Sequence, residues 1–104
     1  MKIGLDSTSD FKSWLEELPL KEELQIRKRL YAVEQEGHFG DCKYLDDGLF
    51  ELRWKNGKRV YFAKLSDKRI ILLLGGRKNA QEKEIKKARI LLKGLSFSRP
   101  KKGD

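Results

Sequence analysis

The sequence is poor in the residues that form disulfides and bind soft metals. Its 104 residues include one cysteine, Cys42, and one histidine, His38. A single cysteine excludes a disulfide within the chain, and one cysteine with one histidine is too few for a metal cluster of these ligands. We therefore expect a protein that uses no metal ion and no other cofactor.

Long apolar runs are absent as well. The longest, Ile70–Leu74, has the length of a strand and is far shorter than the roughly 20 apolar residues that cross a membrane. The amino terminus lacks the apolar stretch of a secretory signal. We expect a cytoplasmic protein with one domain over residues 1–95, followed by a basic, disordered tail over residues 96–104.

Charge is abundant, and its distribution is uneven. The chain carries 24 Lys and Arg against 16 Asp and Glu, for a net charge of +8. Residues 1–50 hold 7 basic and 11 acidic residues, whereas residues 51–104 hold 17 basic and 5 acidic residues. A strongly basic half favours a polyanionic partner, most commonly a nucleic acid. The alternative is a basic surface that only keeps the protein in solution.

Apolar periodicity predicts two helices in the first third of the chain. Apolar residues spaced as one helical face begin at Phe11 after a possible cap at Ser9-Asp10, and Pro19 ends this helix. A second helix is predicted from about Leu20 to Glu36, where Gly37 ends it. The short connection between the two helices predicts a helical hairpin.

Strands follow the hairpin. The segment Leu49–Lys55 alternates apolar and charged residues, which predicts a half-buried strand. A second strand, Lys58–Leu65, follows the turn signal Asn56-Gly57. Ile70–Leu74 is apolar throughout, which predicts a strand covered on both faces. Gly75-Gly76 is expected to break the last strand. A third helix is predicted after a cap formed by Asn79 and Glu82, and its buried stripe would consist of Ile85, Ala88, Leu92 and Leu95. A weak first strand is predicted at Lys2–Leu5.

These elements predict an α+β fold. It would contain a small, twisted antiparallel sheet of three to four strands, an N-terminal helical hairpin and a C-terminal helix. We expect the helices to lie on one side of the sheet, which leaves the other side open to solvent.

The loop at Asn56-Gly57 determines which side chains share a face of the sheet. A two-residue turn would mix apolar and charged side chains on both faces. One additional residue, as a longer loop or a bulge, would pair Arg53 with Tyr61 and Lys55 with Arg59. We favour the second register, because exposing large apolar side chains costs roughly 1.5–3 kcal/mol each.

The favoured register makes one face apolar and the other face cationic. Opposed like charges destabilise a sheet, so a face that accepts them is typical of a site for an anionic ligand. The alternative is an ordinary solvated face on which Glu51 offsets the nearby arginines. The expected core face holds Phe50, Leu52, Trp54, Val60 and Phe62, and the expected outer face holds Glu51, Arg53, Lys55, Arg59 and Tyr61.

Three blocks of this sequence, in this order, resemble the RelE/ParE toxin superfamily. They are the runs 48–54 (GLFELRW), 58–62 (KRVYF) and 70–81 (IILLLGGRKNAQ). The closest resemblance is to the HigB-like addiction-module killer proteins, the phage-derived Gly-Gly-x-Lys branch, over about residues 9–93. The resemblance implies a toxin of a toxin–antitoxin system, held in check by a cognate antitoxin encoded next to it. We expect this antitoxin to be a helix-turn-helix protein.

The resemblance also implies roles for individual residues. The catalytic candidates are Arg53, Arg59, Tyr61 and Lys78, and the RNA-binding candidates are Lys55, Lys58, Arg77 and Gln81. Some relatives carry a late Tyr or His as an acid/base group, and this sequence has neither after Tyr61. Cations near Tyr61 are expected to lower its pKa and so make it a candidate base.

Three functions therefore stay open. The first is a ribosome-dependent, metal-independent mRNA endoribonuclease, in which arginines stabilise the charge that develops on phosphate. The second is a non-catalytic toxin that inhibits DNA gyrase, as ParE proteins do. The third is an inactive relative that only binds nucleic acid.

Overall fold

The computed structural model describes residues 2–98 of the chain. A five-stranded sheet forms its centre, with three α-helices and a short 3-10 helix around it. The strands are β1 (Gly4–Ser7), β2 (Cys42–Tyr44), β3 (Leu49–Arg53), β4 (Lys58–Ser66) and β5 (Arg69–Arg77), and the helices are α1 (Ser9–Glu16), α2 (Leu20–Glu36) and α3 (Gln81–Ser98), with the 3-10 turn at Lys78–Ala80.

The sheet has the order β1-β5-β4-β3-β2, and it is mixed. Strands β2 to β5 form an antiparallel meander, whereas β1 runs parallel to β5 at one edge. The α+β class is confirmed, but the expected three to four antiparallel strands are too few. Strand β2 escaped prediction because its three residues are all exposed and show no apolar alternation. The weak first strand exists, shifted to Gly4–Ser7.

Helices cover both faces of the sheet, which corrects the expectation of one open face. The core under α1 and α2 includes Phe11, Ile26 and Phe62, and a second core under α3 includes Leu73 and Ala88. The predicted apolar stripe of α3 is confirmed, since its other members pack against this second core. The side of the sheet that we expected to face solvent is therefore partly covered by α3.

The helix ends differ from prediction at three places. Thr8 caps α1 by accepting a hydrogen bond from the backbone N–H of Phe11 at 3.0 Å, so the cap is not Ser9-Asp10. Helix α2 has the predicted bounds and ends at Gly37, which adopts a left-handed conformation with φ 68°. Helix α3 begins at Gln81 rather than after a cap at Asn79. It also runs to Ser98, so it extends into the range 96–104 of the predicted tail; residues 99–104 lie outside the described residues.

Gly75 and Gly76 do not break the last strand, because β5 continues to Arg77. At each glycine, the absence of a Cβ lets a side chain from a neighbouring helix pack directly against the strand. A Cβ on Gly75 would lie 2.1 Å from Cε3 of Trp14, and a Cβ on Gly76 would lie 1.9 Å from Oε2 of Glu84. The pair of glycines is thus a packing feature of a regular strand.

The β3–β4 hairpin has the predicted odd loop, and its apolar and polar residues segregate as expected. The backbone N–H of Trp54 donates to the carbonyl of Lys58 at 3.0 Å, so these two residues close a loop of three residues, Lys55–Gly57, in which Gly57 adopts φ 96°. Arg53 lies opposite Arg59 rather than opposite Tyr61, so the pairs that we predicted are wrong by two residues. A shift of two residues keeps every side chain on its face, which is why the segregation survives.

In the described range 2–98, the helices are too short or too polar to cross a membrane.

Candidate functional site

Most of the cationic residues singled out in the sequence meet at the hairpin tip, by which we mean the loop Lys55–Gly57 and the strand ends beside it. The backbone N–H of Lys78 donates a hydrogen bond of 2.8 Å to the carbonyl of Gly57, which joins the end of β5 to this loop. Two concave surfaces flank the tip. One is lined by Asn56, Gly57, Lys58, Arg77, Lys78 and Asn79, and the other by Gln25, Arg29, Gly40, Asp41, Arg53, Trp54, Lys55 and Asn56.

Helix α2 fastens the hairpin tip through Arg29. Its guanidinium donates to three backbone carbonyls, those of Phe39 at 2.9 Å, Asp41 at 2.6 Å and Arg53. The same group lies 4.5 Å from the centre of the Trp54 ring. Because all of these partners belong to the protein itself, Arg29 acts as a structural brace that fixes the start of β2 and the end of β3.

Lys58 is also engaged by α2. Its Nζ lies 2.7 Å from Oε1 of Glu22, and its side chain is 8% exposed. The hydrogen bond from Lys58, and then the charges of Lys58 and Arg77, hold the pKa of Glu22 below its ordinary value. Lys58 faces the α1–α2 side of the sheet, like Val60, and so lies on the opposite face from Arg59. It is thus the least accessible of the predicted RNA-binding lysines.

A polar cluster lies on the other face of the sheet. Its buried members are Glu51, Arg59 and Tyr61, and the partly exposed Arg53 and Gln81 contribute the buried Nε atom of Arg53 and the amide of Gln81. Glu51 is fully buried, and its Oε2 accepts a hydrogen bond from Nε2 of Gln81 at 2.6 Å. The Nε atoms of Arg53 and Arg59 lie 3.6 Å and 3.7 Å from the two carboxylate oxygens. One carboxylate therefore faces two guanidinium groups in the interior.

Tyr61 does not have the surroundings that we expected. Its side chain is fully buried, and its hydroxyl has no hydrogen-bond partner within residues 2–98. Burial, and then the negative charges of Glu51 and Glu84, raise the pKa of Tyr61, which outweighs the opposite effect of Arg59. The expectation of a lowered pKa is therefore wrong, and the hydroxyl stays protonated at neutral pH.

Three of the candidate residues are open to solvent at the tip. Lys55, Arg77 and Lys78 are exposed, and the side chains of Lys55 and Lys78 form no hydrogen bond or ion pair with any residue between 2 and 98. The side chain of Arg53 is 35% exposed. These four cations leave a net positive charge at the tip, which suits an anionic ligand.

Glu84 shapes the same end of the molecule from α3. Both of its carboxylate oxygens accept from the backbone N–H of Arg77, at 3.1 Å and 3.2 Å. Burial raises the pKa of Glu84, an effect that the hydrogen bond from Arg77 partly offsets. The contact places the exposed Arg77–Lys78 segment beside the start of α3.

The predicted site residues thus separate into two sets. One set surrounds the tip and consists of Arg53, Lys55, Arg77 and Lys78. The other set lies in or beside the interior and consists of Arg59, Tyr61, Gln81 and Lys58, the last of which pairs with Glu22. Sequence reasoning missed the parts played by Glu22 and Arg29. The pairing of Glu51 with an arginine was one of the alternatives that the sequence offered, because Glu51 and Arg53 share a face of β3, but its burial depends on α3, which is remote in sequence.

The sequence matches a family model and a relative of similar length. The family model described as Phage derived protein Gp49-like (DUF891) matches residues 13–93. A Haemophilus influenzae protein described as an uncharacterized protein is 41% identical over 100 residues, which cover 93% of this chain and 100% of that protein.

Solved structures share the fold at low sequence identity. Free RelE toxin of E. coli, in a form with two arginine-to-alanine substitutions, superposes with a TM-score of 0.64 at 16% identity and covers 79% of this chain and 90% of that one. The RelBE2 toxin–antitoxin complex of Mycobacterium tuberculosis gives a TM-score of 0.62 at 16% identity, covering 74% and 99%. The archaeal RelE–RelB complex of Pyrococcus horikoshii gives 0.58 at 20% identity, covering 75% and 97%.

Proposed function

The chain belongs to the Phage derived protein Gp49-like family, within the RelE/ParE superfamily, and on that premise we propose that it is the toxin of a type II toxin–antitoxin pair. We place it in the HigB-like branch and in the cytoplasm. Its activity would be ribosome-dependent cleavage of mRNA, which stops translation and arrests growth.

The observation that carries this proposal is the group of solvent-facing cations at the hairpin tip. Arg53, Lys55, Arg77 and Lys78 come from β3, from the loop and from the end of β5, and they surround an open surface rather than a closed pocket. Such a surface suits a polymer that lies across the protein and is held by its phosphates. A small-molecule substrate would favour an enclosed, mostly apolar cavity instead.

The chemistry that these residues support is transesterification at phosphorus without a metal ion. The 2′-oxygen of one nucleotide attacks the adjacent phosphorus, its proton passes to a base, and the 5′-oxygen leaves with a proton to give a 2′,3′-cyclic phosphate. Arg53 would bind the non-bridging oxygens, where negative charge increases in the transition state. Lys78 would stabilise the same charge or assist the leaving oxygen, while Lys55 and Arg77 hold the RNA backbone.

The buried residues receive different parts in this proposal. Arg59 is 4% exposed and Tyr61 is fully buried, so neither reaches RNA without a rearrangement of the sheet and α3. Arg59 contributes positive potential from below the surface. Lys58 and Gln81 support the shape of the tip through Glu22 and Glu51.

A cognate antitoxin is the partner that we propose. The structures that share the fold include RelE toxins solved in complex with RelB. For this chain we propose an antitoxin encoded in the adjacent gene, a helix-turn-helix protein that covers the cationic tip with acidic side chains. The remaining proposed partners are mRNA and the ribosome.

Inducible expression in a bacterial host tests the proposal. We expect growth arrest, with primer extension showing new 5′ ends within translated codons, and we expect Arg53→Ala and Lys78→Ala each to remove both effects. Lys12→Ala is the matched control, because Lys12 is an exposed lysine on α1, remote from the tip in sequence. Growth arrest with intact mRNA would overturn the proposed nuclease activity.

One observation favours the alternative of a gyrase inhibitor. The residues that line the two concave surfaces include no histidine and no tyrosine, and the hydroxyl of Tyr61 is buried. A binding toxin needs no acid/base group, whereas a nuclease does. Plasmid supercoiling measured in the same induced cells distinguishes the two, since a gyrase inhibitor would relax plasmid DNA and leave mRNA uncut.

A further inference from the structure

The interior below the hairpin tip contains an arrangement that folding alone does not require. In the register of β3 and β4, Arg53 lies directly opposite Arg59. Like charges opposed across two strands destabilise a sheet. The carboxylate of Glu51, two residues before Arg53 on the same strand, lies within 3.7 Å of the Nε atoms of both arginines.

The two arginines differ in what they can reach. The side chain of Arg59 is 5% exposed, and its Nη1 donates to the carbonyl of Lys58 at 3.2 Å. The side chain of Arg53 is 35% exposed and donates no hydrogen bond to any residue between 2 and 98. Among residues 2–98, the carboxylate that pairs with the Arg53 guanidinium is that of Glu51, and it lies on the Nε side at 3.6 Å.

The third contact of Glu51 extends this arrangement to α3. Nε2 of Gln81, the first residue of α3, donates to Oε2 of Glu51 at 2.6 Å. A buried carboxylate with two cations and one amide around it has a fixed position, because an unpaired buried charge is costly. The position of Glu51 is therefore determined by three elements, β3, β4 and α3.

We propose that Glu51 is a positioning residue that holds the guanidinium of Arg53 toward the RNA phosphate by binding its Nε side and by offsetting the charge of Arg59. This inference rests on the proposed function, because it assigns the residue that orients Arg53 at the proposed RNA-binding surface. Glu51 is fully buried, so its carboxylate does not touch the substrate.

The key variant is Glu51→Gln, which keeps the shape of the side chain and removes its charge. We expect the single-turnover rate of mRNA cleavage on saturating programmed ribosomes to fall on the order of tenfold to a hundredfold, because a displaced Arg53 no longer meets the transition state. The half-saturating ribosome concentration should change less than about threefold, since Lys55, Arg77 and Lys78 still bind RNA.

A spectroscopic measurement reports the position of Arg53 without any activity. In ¹H–¹⁵N spectra of the free protein, we expect slowly exchanging Nε–H signals from Arg53 and Arg59, assigned with Arg53→Lys. Glu51→Gln should shift the signal of Arg53 or remove it. An unchanged Arg53 signal together with an unchanged cleavage rate would overturn the proposal.

Gln81→Ala is the second variant, and it keeps the test decisive if Glu51→Gln does not fold. It removes the 2.6 Å hydrogen bond and leaves the carboxylate in place, so we expect a smaller loss of rate and a broadened Arg53 signal. Wild-type rate and signal in this variant would contradict the part assigned to α3. If the wild type does not cleave mRNA but its Arg53 signal still depends on Glu51, the proposed nuclease fails and the positioning role stands.

Discussion

Glu22 on α2 and Lys58 at the start of β4 form an ion pair with 2.7 Å between Oε1 and Nζ, in which the lysine side chain is only 8% exposed. The pair joins the first turn of a helix to the strand that leaves the hairpin tip. A lysine that the sequence marks as a ligand for RNA is thus used to hold the hairpin against α2. The contact makes a prediction about stability and pH.

We expect Glu22→Gln to lower the thermal midpoint at pH 7 and to have little effect in acid. The pKa of Glu22 is lowered in the folded protein, so its stabilising contribution is present above the ordinary value of 4.5 and is lost as the pH falls through the folded value. Midpoints measured by circular dichroism from pH 7 to pH 3 should therefore converge for wild type and variant. Glu16→Gln, at an exposed glutamate on α1, should follow the wild type throughout.

Arg29→Lys should destabilise the protein by about 2 kcal/mol. A lysine lacks the planar fork of donors that reaches these three carbonyls and stacks on Trp54, and hydrogen bonds from charged groups contribute about 1.5–3 kcal/mol. The free energy of unfolding from urea denaturation measures this loss. Arg27→Lys is the control on the same helix, where an exposed pair with Glu23 predicts a change below about 0.5 kcal/mol. Equal losses in the two variants would contradict the bracing role of Arg29.

Gly75→Ala should cost about 2 kcal/mol, because the new methyl group would overlap the Trp14 ring at 2.1 Å and the two would have to separate. Gly94→Ala is a useful contrast. Among the residues that the structure describes, and apart from the neighbouring backbone of the helix itself, nothing lies within 4 Å of a Cβ at that position in α3. The substitution should therefore stabilise the protein by about 0.5–1 kcal/mol. Denaturant midpoints of both variants test the prediction, and a neutral Gly75→Ala would mean that Trp14 moves freely.

Lys78→Ala should weaken binding of a single-stranded oligoribonucleotide and make it less dependent on salt. Each phosphate contact that is lost should reduce the slope of log K against log salt concentration by about 0.7. Lys55→Ala should behave similarly, because both side chains are exposed at the tip. Lys12→Ala should keep the wild-type slope, and an equal change in that variant would indicate general charge attraction instead of a site. Fluorescence anisotropy at several salt concentrations provides the slopes.

Local sequence was sufficient for much of the architecture. Helix α2 has its predicted bounds because Pro19 and Gly37 control the backbone at its two ends. The strands β3 and β4 place Phe50 and Phe62 on one face, as the alternation of side chains predicts. These features depend on neighbours within a few residues, which is why they could be read directly.

Accessibility of the cations was beyond the reach of the sequence. The alternation placed Arg53, Arg59 and Tyr61 on one face, but whether that face meets water depends on α3, which packs on it from 20 or more residues away. The same holds for Lys58, whose exposure depends on Glu22.

The sequence alone therefore determined the helices, the strand alternation and the concentration of positive charge in the second half of the chain. Only the tertiary structure decided that β1 pairs in parallel with β5, that helices cover both faces and that Lys55, Lys78, Arg77 and part of Arg53 remain at the surface. The physical reason is that local conformation depends on adjacent residues, whereas burial and charge pairing depend on which distant elements come into contact.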